Sequence, residues 1–349
     1  MPLPYELSLQ EWVDLFQSWG EPAYRARQVW HGLYQRFYQA AGEFTDLPLA
    51  LRHRLAEHFR FPPLIPLASQ TSQDGQTVKT LFQLEDGQAI EAVLMRYERR
   101  RTLCISTQVG CAMGCVFCAT GQMGFRRHLT AGEIVAQVMY YARQLADQGE
   151  RVTNIVIMGM GEPFHNYENT MQAIDRLNDP MGYHFGERRI TLSTVGLAPM
   201  IRRFTAERRQ VNLAISLHAA DDALRSSLMP VNRKYSLEEV LQACRDYVRE
   251  THRRVTFEWA LIQGINDTPE QARRLASLLK GLLCHVNLIP LNPTRGYSGK
   301  ATTGERARAF QAILEQAGIP TTIRLRRGIE IQAGCGQLAT QERLQKERA

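Results

Sequence analysis

The chain has 349 residues, 44% hydrophobic and 22% charged, with a formal net charge of +7 and seven cysteines. This length and mix fit a protein with a sizeable core and more than one minimal domain, and exclude disordered, collagen-like and low-complexity classes. An odd cysteine count, no basic-then-apolar leader and no run of about 18 apolar residues argue against a secreted disulfide framework and a membrane span, so a cytoplasmic location is expected.

Residues 6 to about 60 read as helical. Trp12, Leu15 and Phe16 recur at helical spacing, as do Val29, Leu33 and Phe37, and Pro22, Gly32, Pro48 and Pro62 punctuate the stretch. A helical accessory domain over residues 1–63 is expected. The period then changes. Thr77–Leu84 and Gln88–Met95 read as strands joined by Asp86–Gly87, a hairpin signal, and a second Asp–Gly pair, Asp74–Gly75, precedes them. Residues 64–100 are therefore read as a short antiparallel linker leading into the strand Thr102–Ser106.

From residue 101 to 340 strands and helices alternate. The strand-like runs are Val152–Met158, Arg189–Thr194, Val211–His218, Val255–Ile262, His285–Leu291 and, weaker, Thr321–Leu325. Helix starts are marked by Thr130 with Glu133, Ser236 with Glu239, Asn166, Thr268 before Pro269, and Thr303. The alternation implies an α/β fold with a parallel sheet, as either an open doubly wound sheet or a partial (β/α) barrel. Polar and unusual residues fall just after four strands, where such folds carry their sites. A frayed tail is expected over residues 341–349.

Cys111, Cys115 and Cys118 form a C-x3-C-x2-C run directly after the first strand of this core, with Gly110 and Gly114 permitting tight turns around a bulky guest. Zinc would want a fourth protein ligand, for which His128 is the distant candidate. Three thiolates on a [4Fe–4S] cluster would instead leave one iron open for a substrate.

That spacing resembles the radical S-adenosylmethionine (SAM) superfamily. Over nearly the whole chain the sequence resembles the RlmN/Cfr family of RNA adenine methyltransferases. The resemblance is carried by CISTQVGC (104–111), FCATGQMGF (117–125), GMGEP (159–163), STVG (193–196), ISLHA (215–219), MPVN (229–232), LIPLNPT (288–294) and AGCGQLA (333–339). It implies a partial (β/α) barrel, a [4Fe–4S] cluster on Cys111, Cys115 and Cys118, and two SAM molecules per turnover. Cys335 would take a methyl group from one SAM by displacement, and the radical from the second would activate that methyl for addition to the adenine ring. Cys104 would then attack the Cys335 sulfur and release the methylated base, with Glu91 removing the ring proton. Gly161, Glu162, Ser193, Ser216, Leu217, His218 and Asn292 would cradle SAM.

Taken alone, Glu91 fits a solvent-facing strand carboxylate, His218 a core histidine, Asn292 the start of a turn and Cys104 an ordinary buried strand cysteine. Strand alternation nevertheless puts Cys104 opposite the aliphatic Leu103 and Ile105, so it faces inward if those two pack on helices. Cys244 and Cys284 read as structural. The segment RGIEIQAGCGQL departs from the family's usual residues at Ile329, Gln332 and Gly334. Recurrent arginine pairs, from Arg126–Arg127 to Arg326–Arg327, suit phosphate recognition, although solvated helix faces explain any single pair equally well.

The resemblance points to carbon-2 methylation of adenine in 23S rRNA and tRNA. The expected electron donor is one such as flavodoxin, and the expected state is a monomer. Val109 speaks against the carbon-8, antibiotic-resistance branch, which tends to have a cysteine there. A non-enzymatic RNA-binding protein with a cluster or zinc is the alternative of another class, and the pair Cys104 and Cys335 speaks against it.

Overall fold

The computed structural model describes residues 1–324 and 326–340. The expected tail over 341–349, and Leu325 at the end of the weakest expected strand, lie outside the described residues.

Three helices come first: α1 (Leu9–Ser18), α2 (Ala23–Tyr34) and α3 (Leu49–His58). Ser8 and Glu11 close a capping box at the start of α1. Trp12, Phe16, Trp30, Tyr34 and Phe44 bury themselves between these helices, so the layer has its own aromatic core.

An antiparallel meander follows: β1 (Ile65–Thr71), β2 (Thr77–Gln83) and β3 (Ala89–Arg96). The expected hairpin is present with Leu81 opposite Glu91. The strand β1, turning at Asp74–Gly75, was not expected as such; all of it is exposed, so it lacks the apolar alternation by which a strand is recognised. β3 also pairs antiparallel with β4 (Arg101–Cys104), and there the sheet changes character.

From β4 onward every pairing in the main sheet is parallel. After β4 come β7 (Asn154–Ile157), β8 (Ile190–Thr194), β9 (Asn212–Ser216), β10 (Val255–Leu261), β11 (Cys284–Pro290) and β12 (Thr321–Ile323), adjacent in that order. A doubly wound sheet must reverse direction midway, and this one does not, which leaves the singly wound, partial-barrel alternative. Helices α5 (Ala131–Ala146), α6 (Tyr167–Asn178), α7 (Ala198–Ala206), α8 (Asp222–Leu228), α9 (Leu237–Thr251), α10 (Pro269–Leu279) and α11 (Gly304–Gln316) make the crossovers. Thr130, Ser236, Thr268 and Thr303 cap theirs through the side chain. Asn166 precedes α6 without capping it; its amide instead bonds the Thr107 and Leu129 carbonyls.

The strands alternate cleanly. Ile155, Leu192, Leu213, Ile215, Phe257, Val286 and Leu288 are buried in the core. Met158, Ser193, Ser216, Glu258 and Ile289, on the other face, line a cavity. An apolar outer face and a partly polar inner face mean that the hollow of the sheet is a place for a ligand rather than a packed core.

Candidate active site

The cysteine loop is clamped by a small ladder separate from the main sheet. β5 (Gln108–Gly110) ends just before Cys111, and β6 (Phe125–His128) pairs with it after the loop and the short helix α4 (Ala119–Gln122). Gly110 has φ +71°, and a Cβ there would lie 1.8 Å from the Gly124 carbonyl oxygen. Cys111 N–H donates to that same oxygen at 3.0 Å, closing the neck of the loop. Only glycine admits this approach.

Cys111, Cys115 and Cys118 all line the central cavity. Burial pushes the Cys111 thiol up to about 12 and the Cys115 thiol well above its ordinary value. Arg225 opposes the shift at Cys115 only weakly. Holding such sulfurs as thiolates requires a cation bound among them. Among the described residues no three His, Cys, Asp or Glu side chains converge as a single-ion site does. His128 is engaged elsewhere, its Nδ1 3.0 Å from Gln108 Nε2. A structural zinc needs four ligands around one point, whereas a cluster spreads its cysteines over several irons, so the donor set fits the cluster better.

The candidate SAM residues come from successive strand ends. Gly161 has φ +104°, and a Cβ there would lie 2.6 Å from Gln108 Cβ. The buried Glu162 accepts Phe164 N–H at 2.9 Å on one oxygen and Val195 N–H at 2.8 Å on the other. Burial raises its carboxyl to about 7 against the pull of those bonds. Ser193 and Ser216 bring their hydroxyls to 3.4 Å of each other. His218 Nδ1 accepts Ala260 N–H at 2.9 Å, which assigns its proton to Nε2, and burial lowers it to about 3, so it stays neutral. Asn292 donates to the Cys335 carbonyl at 3.0 Å, while its Oδ1 is buried without a partner. A buried acceptor left open beside this cavity fits a ligand with donor groups, as the ammonium and ribose of SAM are. The structure does not bring the Leu217 side chain to the cavity. It lies in the core, and only its backbone is engaged, the N–H donating to the Glu258 carbonyl at 3.0 Å and the carbonyl accepting from Arg225 at 3.1 Å.

Cys335 stands on the segment 333–340, which folds back over the cysteine loop. Ala119 N–H donates to the Gly336 carbonyl at 2.7 Å, and Thr120 Oγ to the Leu338 carbonyl at 2.6 Å. Cys335 is exposed, and its exposure is toward two cavities at once: the central one and a second lined by Cys104, Met95, Tyr97 and three arginines. Cys104 therefore does face a cavity, one that Cys335 borders and the three cysteines do not. Burial and the neighbouring Cys335 push its thiol up to about 12, and Arg324 pulls it back in part.

Glu91 is brought near this pair but not onto a cavity wall. By alternation it shares a face of β3 with Val93, the register partner of Cys104. It is buried, paired to Lys79 Nζ at 2.9 Å, and covered by Ala339, whose N–H donates to it at 2.8 Å. Sequence reasoning missed Lys79. It also missed Gln108, which accepts Glu162 N–H at 2.8 Å, and Arg225, fully buried and bonded to the Val195, Ser216 and Leu217 carbonyls and to Asn232. A lone arginine four residues before the MPVN segment gives no periodic or spacing signal.

Two family models match the chain: the radical SAM superfamily over residues 105–276 and the ribosomal RNA large subunit methyltransferase N-terminal domain over residues 5–60. The probable dual-specificity RNA methyltransferase RlmN of Chloroflexus aurantiacus is 52% identical over 346 residues, covering 96% of this chain and 92% of that protein. The dual-specificity RNA methyltransferase RlmN 1 of Myxococcus xanthus is 52% identical over 340 residues, covering 97% and 95%. A crystal structure of a radical SAM methyltransferase from Sphaerobacter thermophilus superposes with a TM-score of 0.95 at 52% identity, covering 97% of this chain and 99% of that one. With the cysteine loop, the sequentially wound sheet and the N-terminal helices all matched at this level, the chain belongs to the RlmN family of radical SAM RNA methyltransferases.

Proposed function

We propose that this protein methylates carbon 2 of an adenine in 23S rRNA, at the peptidyl-transferase centre, and of the adenine just 3′ of the anticodon in tRNA. It would act as a monomer fed by an electron donor such as flavodoxin. The observation that carries the reading is the position of Cys335, exposed to a cavity lined by three cysteines on one side and to a cavity lined by Cys104 on the other. Carbon 2 is electrophilic, so direct delivery of a methyl cation is mismatched to it, and a carrier thiol resolves the mismatch.

Cys111, Cys115 and Cys118 would hold the cluster, and Gly161, Glu162, Ser193, Ser216, His218 and Asn292 would hold SAM, two molecules per turnover. Bound there, cluster and SAM supply a methyl group and a radical. Cys335 carries the methyl carbon to the base. Cys104 attacks the Cys335 sulfur, forming an S–S bond as the carbon–sulfur bond to the base breaks, and an external reductant restores both thiols. Glu91 takes the ring proton once the segment carrying Ala339 shifts off it. A base already unstacked in a folded RNA is the cheaper substrate, since extrusion costs about a few kcal/mol.

Mass spectrometry of adenosine from treated 23S rRNA and tRNA, against carbon-2 and carbon-8 standards, tests this directly. Carbon-2 product is expected; carbon-8 product would move the chain to the other branch, and no product would sink the reading. Cys104→Ala should accumulate RNA covalently joined through Cys335, and free methylated RNA at the normal rate would refute the resolving role. Anaerobic reconstitution should give about four irons per chain.

A further inference from the structure

The two cavities meet at one wall, shared by Met158, Ile289, Asn292, Cys335 and Leu338, yet their charges are opposite. The central cavity is lined by two carboxylates, Glu162 and Glu258, and by no lysine or arginine. The second is lined by Arg324, Arg326 and Arg327 and by no carboxylate. Glu258 comes within 3.7 Å of Arg324 from the other side. Arg326 is exposed and makes no hydrogen bond or ion pair within the described residues. Tyr97, on the turn after β3, has two guanidinium groups near its ring, Arg327 4.6 Å and Arg100 5.1 Å from the ring centre.

Such a division sorts ligands. A phosphodiester is repelled from the carboxylate-lined cavity and attracted to the arginine-lined one, while the ammonium of SAM has the reverse preference. Arginine fits phosphate through its planar fork and stacks on aromatic rings and bases. An aromatic ring beside arginines is an arrangement with which proteins hold unpaired nucleotides.

We propose that the second cavity is the RNA berth: Arg326 and Arg327 take the phosphates flanking the extruded adenine, and Tyr97 is the platform against which a neighbouring base stacks. This rests on the reading of the chain as an RNA adenine methyltransferase. The adenine then reaches Cys335 from the side of Cys104, and SAM reaches it from the side of the cluster.

The test uses the reconstituted holoenzyme and a 23S rRNA transcript containing the target adenine. RNA affinity is measured across a salt series for the wild type, R326Q/R327Q, Tyr97→Leu and Tyr97→Phe. R202Q/R249Q, at two exposed arginines on α7 and α9, removes the same total charge elsewhere and should leave affinity close to that of the wild type. The double variant should bind RNA at least tenfold more weakly, with the slope of log affinity against log salt shallower by roughly 1–2, the release of about two counterions. Tyr97→Leu should weaken binding about tenfold with the slope kept, and Tyr97→Phe should restore it, since stacking needs the ring and not the hydroxyl. Unchanged affinity and slope in R326Q/R327Q, with wild-type enzyme methylating the same RNA, would overturn the berth and leave the activity standing. Wild-type enzyme that neither binds nor methylates the RNA would overturn both.

Discussion

Among the described residues Glu91 has one charged group facing it, Lys79 from β2, and one backbone donor, Ala339. Burial outweighs both and raises the Glu91 carboxyl above its ordinary value. In the proposed role of base Glu91 works only ionised, so methylation should fall as pH drops through that raised value. Replacing Lys79 by Met removes the counter-charge and should move the acid limb of the pH–rate profile to higher pH, while Lys79→Arg should leave it nearly in place. An acid limb in the same position for Lys79→Met would remove Glu91 from the role. The same variant should lose about 3–5 kcal/mol of stability at pH values where Glu91 is ionised, because it leaves a buried carboxylate unpaired. The sign is that of a raised carboxyl: stability is retained in acid, where Glu91 is protonated, and lost as pH rises through its folded value. Denaturant melts at acid and neutral pH measure the difference. At this scale the three cysteines that line the central cavity stand out in the sequence by their spacing. Lys79 does not, because nothing in a strand sequence says that its lysine turns inward to meet a carboxylate on the next strand.

The loops at the strand ends depend on Arg225. It joins the turn after β8 to the turn after β9 and, through Asn232, to the segment after α8. Arg225→Met should leave three carbonyls without this donor and cost several kcal/mol, read as a lower denaturation midpoint. SAM affinity should fall with it, since Ser216 and Val195 are set by the same bonds. Gly161→Ala should act differently: its Cβ meets the Gln108 backbone and side chain, so the GMGEP turn must open and SAM binding should be lost while the sheet stays folded. Isothermal titration with SAM separates the two, and normal SAM affinity in Gly161→Ala would contradict the close approach. Most elements were readable from period and caps, which are local. The ladder of β5 and β6 was not, because its strands are three and four residues long and packing on the cysteine loop, rather than propensity, keeps them extended.

For the molecule as a whole, the helical layer is tied to the sheet through Glu6. Its carboxylate accepts from Thr130 Oγ and from Gly132 N–H at 3.1 Å at the start of α5, and its carbonyl accepts from Arg176 of α6. Gly132 has no room for a Cβ because the Glu6 carboxylate lies 2.5 Å from where one would be. Glu6→Ala should cost about 1–3 kcal/mol and raise hydrogen exchange in α1–α3 while β7–β11 stay protected. Uniform loss of protection would mean that the layer and the sheet unfold as one. The order of strands follows from the alternation in sequence, but which side of the sheet holds the site follows only from the inner face being polar, a property of many strands together.

The lid of that site comes from far along the chain. Thr120 and Leu338, which close it, are 218 residues apart. A ribosome adding about 5–20 residues per second takes roughly 10–40 s to cover that distance. During that interval the cysteine loop exists without its cover, open to whatever delivers iron and sulfide. Synthesis itself thus sets the order of assembly, with Cys111, Cys115 and Cys118 made first and the segment that carries Cys335 closed over them last.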